Sequence, residues 1–115
     1  MIIWGIFTSY EDREETIHDS DKCNGEFFTT EELALTYLNS LKKWWYDFYK
    51  DPCITEAAKQ EFFGNKTPDE SIRLFNEPDE IIGHEDMWVL TRDCLSSIGA
   101  EMRERIVARE LYVHD

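Results

Sequence analysis

Residues 28–49 read FTTEELALTYLNSLKKWWYDFY, and the arrangement of the rest of the chain follows from how this stretch folds. Thr29 followed three positions later by Glu32 has the form of a capping box, in which hydroxyl and carboxylate satisfy backbone N–H groups that a helix start leaves unpaired. Phe28 and Leu33 are spaced to close over that start as a hydrophobic staple. Beyond it, Ala34, Leu38, Leu41, Trp45 and Phe48 recur at steps of three and four, and Leu33, Tyr37 and Trp44 widen the stripe. Thr36, Asn39, Lys43, Asp47 and Lys50 fall opposite. The pattern predicts one amphipathic helix over Thr29–Tyr49, about five turns long, whose apolar side needs a layer to lie on.

Strand signals on either side supply that layer. Ile2, Trp4, Ile6, Thr8 and Tyr10 alternate with Ile3, Gly5, Phe7 and Ser9, so apolar groups point both ways. This is the pattern of an interior strand, with Gly5 admitting a close neighbour. Asn24-Gly25 is a two-residue turn signal, and Glu26-Phe27-Phe28 after it reads as a short strand running into the helix, which together make an acidic hairpin. At the far end Ala100, Met102, Ile106 and Arg109 would suit a helix, whereas Ile106–Val113 alternates; a closing strand over those eight residues is favoured, because the opening strand needs a partner. Between these, Asp51-Pro52 opens a second helix that runs to Phe62 and Phe63 and stops at Gly64. Thr67-Pro68-Asp69-Glu70 caps a third, with Ile72, Leu74 and Phe75 on its face until Pro78. Met87, Leu90, Thr91, Cys94 and Leu95 fit a further helical face. The expected architecture is a single α+β domain over 1–115: a small antiparallel sheet packed on one long amphipathic helix, with two or three shorter helices.

The 115 residues carry 25 acidic and 12 basic side chains, a formal charge of −13. Such a field repels nucleic-acid phosphates and anionic lipid headgroups and attracts basic protein surfaces, so direct nucleic-acid and membrane binding are disfavoured. The charge is unevenly placed. Glu11–Glu32 holds nine acidic residues against Arg13 and Lys22, and Asp51–Leu90 holds ten against Lys59, Lys66 and Arg73. Each segment is at −7, and Leu33–Lys50 between them is at +2. Charge runs are commonly no more than solvated faces. Carboxylates at irregular spacing can also imitate a phosphate backbone and settle on the Lys/Arg groove of a nucleic-acid-binding protein. The candidate partner contacts are Glu11, Asp12, Glu14, Glu15, Asp19 and Asp21, joined by Asp79, Glu80, Glu85 and Asp86. Trp44 and Tyr46 join them because five aromatics in the six positions 44–49 cannot all face inward, and an exposed pair makes an interface anchor or a homodimer contact.

Catalytic and metal signatures are weak. Three cysteines, Cys23, Cys53 and Cys94, show no CxxC pair, which points to reduced thiols and not to a disulfide framework or structural zinc. DSDKCNG from Asp19 has the look of a calcium loop, but one extra residue precedes Asn24-Gly25 and the twelfth position is Thr30 where a bidentate glutamate is needed. His18 and Cys23 are the only zinc-type ligands nearby. There is no GxSxG, phosphate loop or HExxH, so neither a catalytic residue nor a cofactor is assigned. The N-terminus lacks a basic region and a long apolar run, and a cytoplasmic location is expected.

Gly25-Glu26-Phe27-Phe28-Thr29-Thr30-Glu31-Glu32-Leu33-Ala34, following an opening strand, resembles the strand-into-helix junction of small phage-encoded accessory proteins built as a β-hairpin, a helix and a closing strand. The resemblance covers about a third of the chain and its motif is capping chemistry. It implies a phage or mobile-element origin, where acidic proteins of this size inhibit host defence nucleases, anti-CRISPR proteins among them, and it carries no functional residue over. The leading expectation is a non-enzymatic, carboxylate-bearing inhibitor of a host nucleic-acid-binding protein. The alternatives are an immunity protein that neutralises a basic nuclease toxin and a small cytosolic enzyme using Cys23 or His18.

Overall fold

A computed structural model describes residues 1–12, 17–79 and 86–114, with residues 17–22 as backbone only. The opening strand β1 (Ile2–Asp12) lies between β2 (Ile17–Phe28) and β5 (Glu101–Tyr112), antiparallel to both. On the far side of β5 come β4 (Asp86–Leu95) and then β3 (Ile72–Pro78), giving one five-stranded antiparallel sheet in the order β2-β1-β5-β4-β3. Three helices, α1 (Glu31–Lys50), α2 (Glu56–Phe63) and α3 (Pro68–Ser71), connect β2 to β3. The architecture is α+β, with the sheet packed on one long helix.

Helix α1 begins one residue later than the capping box implies. Thr30, not Thr29, is the N-cap, its hydroxyl accepting from the Leu33 N–H at 3.2 Å. Glu31 and Glu32 then occupy the first turn, where the helix dipole favours negative charge. Leu33 is 48% exposed and forms no staple; Phe28 meets Tyr37 instead, ring centroids 5.3 Å apart. Ala34, Leu38 and Trp45 are buried as the periodicity requires, with Tyr37, Leu41 and Phe48 packed at the margin. Trp44 leaves the stripe and is 55% exposed.

Against that helix face the sheet presents Trp4, Ile6, Ile72, Leu90, Ile106 and Ala108, and Phe63 of α2 completes the cluster. Ala34 and Ala108, both without exposed surface, keep the two layers close. Alternation sends Phe7, Met87, Val89 and Val107 to the reverse face, where they form a second buried cluster with Leu111 against it. Gly5 has the tight neighbours its position in β1 implied: a Cβ there would stand 2.7 Å from Leu111 Cδ1 and 3.1 Å from the Phe7 ring.

Five local expectations are corrected. The third helix stops at Ser71, and Ile72–Pro78 pairs with β4, which puts Ile72 in the core and packs Leu74 against it. Residues 86–95 are strand and not helix; a strand buried on both faces reads as a continuous apolar run, MWVL, which periodicity cannot tell from a helix. Asn24-Gly25 is not a hairpin turn. The pairing jumps from Gly5↔Phe27 to Phe7↔Cys23, so residues 24–26 form a bulge inside β2, and Gly25 at φ 79 supplies a conformation other residues resist. A second register break separates Thr8↔Lys22 from Tyr10↔His18. Finally, α2 starts at Thr55, whose hydroxyl caps the Ala58 N–H at 3.1 Å, while Asp51 closes α1; Gly64 ends α2 in the left-handed region as expected. At the chain's end the closing strand is longer than its last eight residues, starting at Glu101.

Truncating Leu38 to alanine should cost about 2–5 kcal/mol of unfolding free energy, whereas the same change at exposed Leu33 should stay within about 0.5 kcal/mol. Urea denaturation of the two variants reads the difference.

Candidate functional site

The strand register fixes where the sequence-predicted carboxylates lie. Asp12 is level with Met102, and Met102 with Cys94, whereas Asp86 pairs with Pro78 at the opposite end of β4. Eight residues of strand separate those levels, about 27 Å at the usual rise, in a molecule 49 Å along its longest axis. Glu11 and Asp12 therefore lie at the opposite end of the sheet from Asp86 and from Asp79, which follows Pro78. Glu11 lies 3.6 Å from the Arg103 guanidinium, Asp12 is half-buried, Asp79 is buried at 1% exposure and Asp86 is exposed. Tyr46 is half-buried and donates to Asp69 Oδ1 at 2.7 Å, tying α1 to α3. This bond, with burial and the Asp69 charge, holds the Tyr46 phenol above its ordinary pKa. Asp19 and Asp21 fall in β2 as backbone only, and Glu14, Glu15, Glu80 and Glu85 lie outside the described residues.

The fold sorts charge by sign. Arg92, Arg103 and Arg105 are drawn onto the sheet by Glu104, Asp93 and Glu77 at 2.9, 3.0 and 2.6 Å, and Arg109 lies over the Phe7 ring at 4.2 Å. Long guanidinium stems of this kind cover apolar sheet surface. Among the described residues the exposed cations are Lys43, Lys50, Lys66 and Arg73. The exposed carboxylates are Glu26, Glu31, Glu32, Asp47, Asp51, Glu56, Glu61, Asp69, Glu70, Asp86 and Glu101.

Where α2 meets the sheet, an open cleft of about 380 Å³ is bounded by Tyr10, Phe48, Glu61, Phe62, Arg92 and Glu104. Arg92 holds it together. Its Nη1 donates to the Phe62 carbonyl at 2.7 Å, one of the acceptors that the end of a helix leaves unpaired, and its Nη2 donates to Glu104 at 2.9 Å. The guanidinium stacks 3.6 Å from the Phe62 centroid and 5.2 Å from that of Trp45. Tyr10 donates to the same Glu104 oxygen at 3.1 Å; burial, then the charge and hydrogen bond of Glu104, raise its phenol pKa. Rings continue outward from Arg92: Phe62 to Phe48 at 4.4 Å, then Phe48 to Trp44 at 5.7 Å. Cys94 lies at the back of the cleft, its thiol pushed up chiefly by burial, which disfavours the thiolate.

A second cavity, of about 160 Å³, opens beside Gly64 and is lined by Asp12, Lys66, Asp93, Glu101 and Arg103. Burial alone would raise the Asp93 carboxyl, but hydrogen bonds from Lys66 at 2.7 Å and Arg103 at 3.0 Å, with their charges, hold it below its ordinary 3.8. Among the described residues no group of three or more His, Cys, Asp or Glu side chains is placed to hold a metal ion. No described helix is long and apolar enough to cross a membrane.

Sequence reasoning placed Trp44, Phe48 and Phe62 as aromatics without assembling them, and missed Arg92 and Glu104. The signal for the last two was a charged residue at an inward position of each strand, visible only once 86–95 is read as β4. Comparison of the chain with protein families, with curated proteins and with solved structures finds no match.

Replacing Arg92 with alanine should cost about 3–5 kcal/mol, because Glu104 is left buried without its cation; chemical denaturation measures it. For Asp93 the folded pKa is depressed, so its stabilisation is present above pH 3.8 and disappears as pH falls through the folded value. The stability gap between the parent chain and Asp93→Asn should therefore be full at neutral pH and close under acid, read from melting temperatures across a pH series.

Proposed function

We propose that the chain is a non-enzymatic acidic binding protein that covers the basic, nucleic-acid-binding surface of another protein. The setting in which that chemistry has an evident use is a phage-encoded inhibitor, of the anti-CRISPR kind, acting on a host defence protein in the host cytoplasm. The observation that carries the reading is the sorting of charge. Arg92, Arg103, Arg105 and Arg109 are held against the sheet, while Glu26 of the edge strand and carboxylates at the start of α1, in α2 and in α3 remain exposed. Such a surface raises the encounter rate with a basic partner by ten- to a thousandfold, a gain that salt removes. The contact residues favoured by this reading are the exposed carboxylates of the helices and of Glu26 and Asp86, in place of Glu11 and Asp12, which are engaged with Arg103 or half-buried.

The test is a partner-capture and kinetic experiment in host lysate. Replacing Glu26, Glu56 and Asp86 together with lysine moves the net charge from −13 by three steps of two, to −7. The association rate with the captured protein should fall about tenfold at low ionic strength, and the salt dependence should flatten. Binding that is indifferent both to these changes and to raising salt to physiological levels would remove the basis of the proposal.

A further inference from the structure

The ring series beside the cleft is closed at one end and open at the other. At its inner end the Arg92 guanidinium caps Phe62 at 3.6 Å; from there Phe62, Phe48 and Trp44 step outward, and Trp44 stands 55% exposed with nothing stacked beyond it among the described residues. Resting on the function proposed above, we propose that this outer end, the exposed Trp44 ring that packs on the cleft residues Phe48 and Phe62, with Glu61 on the cleft rim, receives an arginine side chain of a protein partner.

Three observations meet there. Indole is the strongest of the aromatic side chains in attracting a cation over its face, and a guanidinium stacks on it better than an ammonium does. The same ring series already holds one guanidinium internally, so its geometry suits the group. Charge agrees: Glu61 lines the cleft and is exposed, and Asp47, one helical turn from Trp44, is exposed too. Arg92 adds no repulsion that matters, because Glu104 neutralises it. Lys43, adjacent in sequence to Trp44, is about 100° away around the helix. An exposed tryptophan bordered by carboxylates is the composition of an interface anchor, in which ring and charge act on the same incoming side chain.

The test titrates the full chain with N-acetyl-arginine amide, followed by amide and indole NMR shifts, beside N-acetyl-citrulline amide, which has the same shape without the charge. Saturable shifts centred on Trp44, Phe48, Glu61 and Phe62 with the arginine probe, and none with citrulline, are expected. Trp44→Ala and Glu61→Gln should each weaken binding roughly two- to fivefold, whereas Glu32→Gln, about three turns from Trp44 at the start of α1, should change nothing. All three positions are exposed, and a thermal melt checks that each variant keeps its fold. Shifts spread over the carboxylates of α1, α2 and α3 without a centre, or equal shifts with citrulline, would overturn this docking point. The charge-based function would survive the first of these results, since it is tested separately by salt and charge reversal.

Discussion

The apolar face of α1 has to be buried, and in this chain it is chiefly the sheet that buries it. Ala34, Leu38 and Trp45 lie against Trp4, Ile6, Leu90, Ile106 and Ala108, residues drawn from the first strand of the chain and from its last hairpin. None of these strands reaches the helix without the others in register, so closure of β1 on β5 and of β5 on β4 is the condition for the layer to exist at all. The cost in chain entropy is offset by apolar area removed from water, about 25 cal/mol per Å². A second cluster on the reverse face adds to the same three strands. The centre of the sheet is thereby fixed from both sides, and what varies outward from it, the short helices and the edge, is free to serve a surface role.

Arg92 joins the fold to that surface. A buried guanidinium is expensive to desolvate, and here a carbonyl, a carboxylate and two rings share the compensation. One of its atoms, Nε, is left without a hydrogen-bond partner, an incomplete satisfaction that stacking on Phe62 replaces only in part. The result anchors α2 by its C-terminal end and sets the angle at which Phe62 and Phe48 face the cleft. The positive charge of Arg92 thus acts as a structural fastener, and among the described residues exposed carboxylates outnumber exposed cations.

Much of this was legible in the residues, for physical reasons that can be named. The helix at 31–50 is decided by spacing, the stop at Gly64 by the left-handed conformation that glycine tolerates, and the closing strand by alternation. The middle of the chain was not legible in the same way. In β4 both faces are buried, so Met87, Trp88, Val89 and Leu90 give no period, and the cluster Ser96-Ser97-Ile98-Gly99, which turns the chain into β5, was the overlooked sign of a hairpin. Thr67 and Glu70 formed the contact their spacing announced, yet a start signal says nothing about length, and α3 is only four residues. The cleft was hidden for a further reason: it draws on β1, β4, β5 and two helices, and residues brought together by topology leave no spacing to read. Net charge, by contrast, was visible at once, but its division between inside and outside depends on pairings that only the folded sheet creates.

The irregular path of β2 bears on how these molecules behave in a crowd. A straight strand at the border of a sheet offers a ladder of unpaired amides and carbonyls along which another chain can zip, and twelve residues would be a long invitation to fibre growth. Here the ladder is interrupted at 24–26 and again between Lys22 and His18, so a newcomer could follow it for only two or three residues before losing step. Kinked in this way, the β2 border is a poor template for the addition of a further strand.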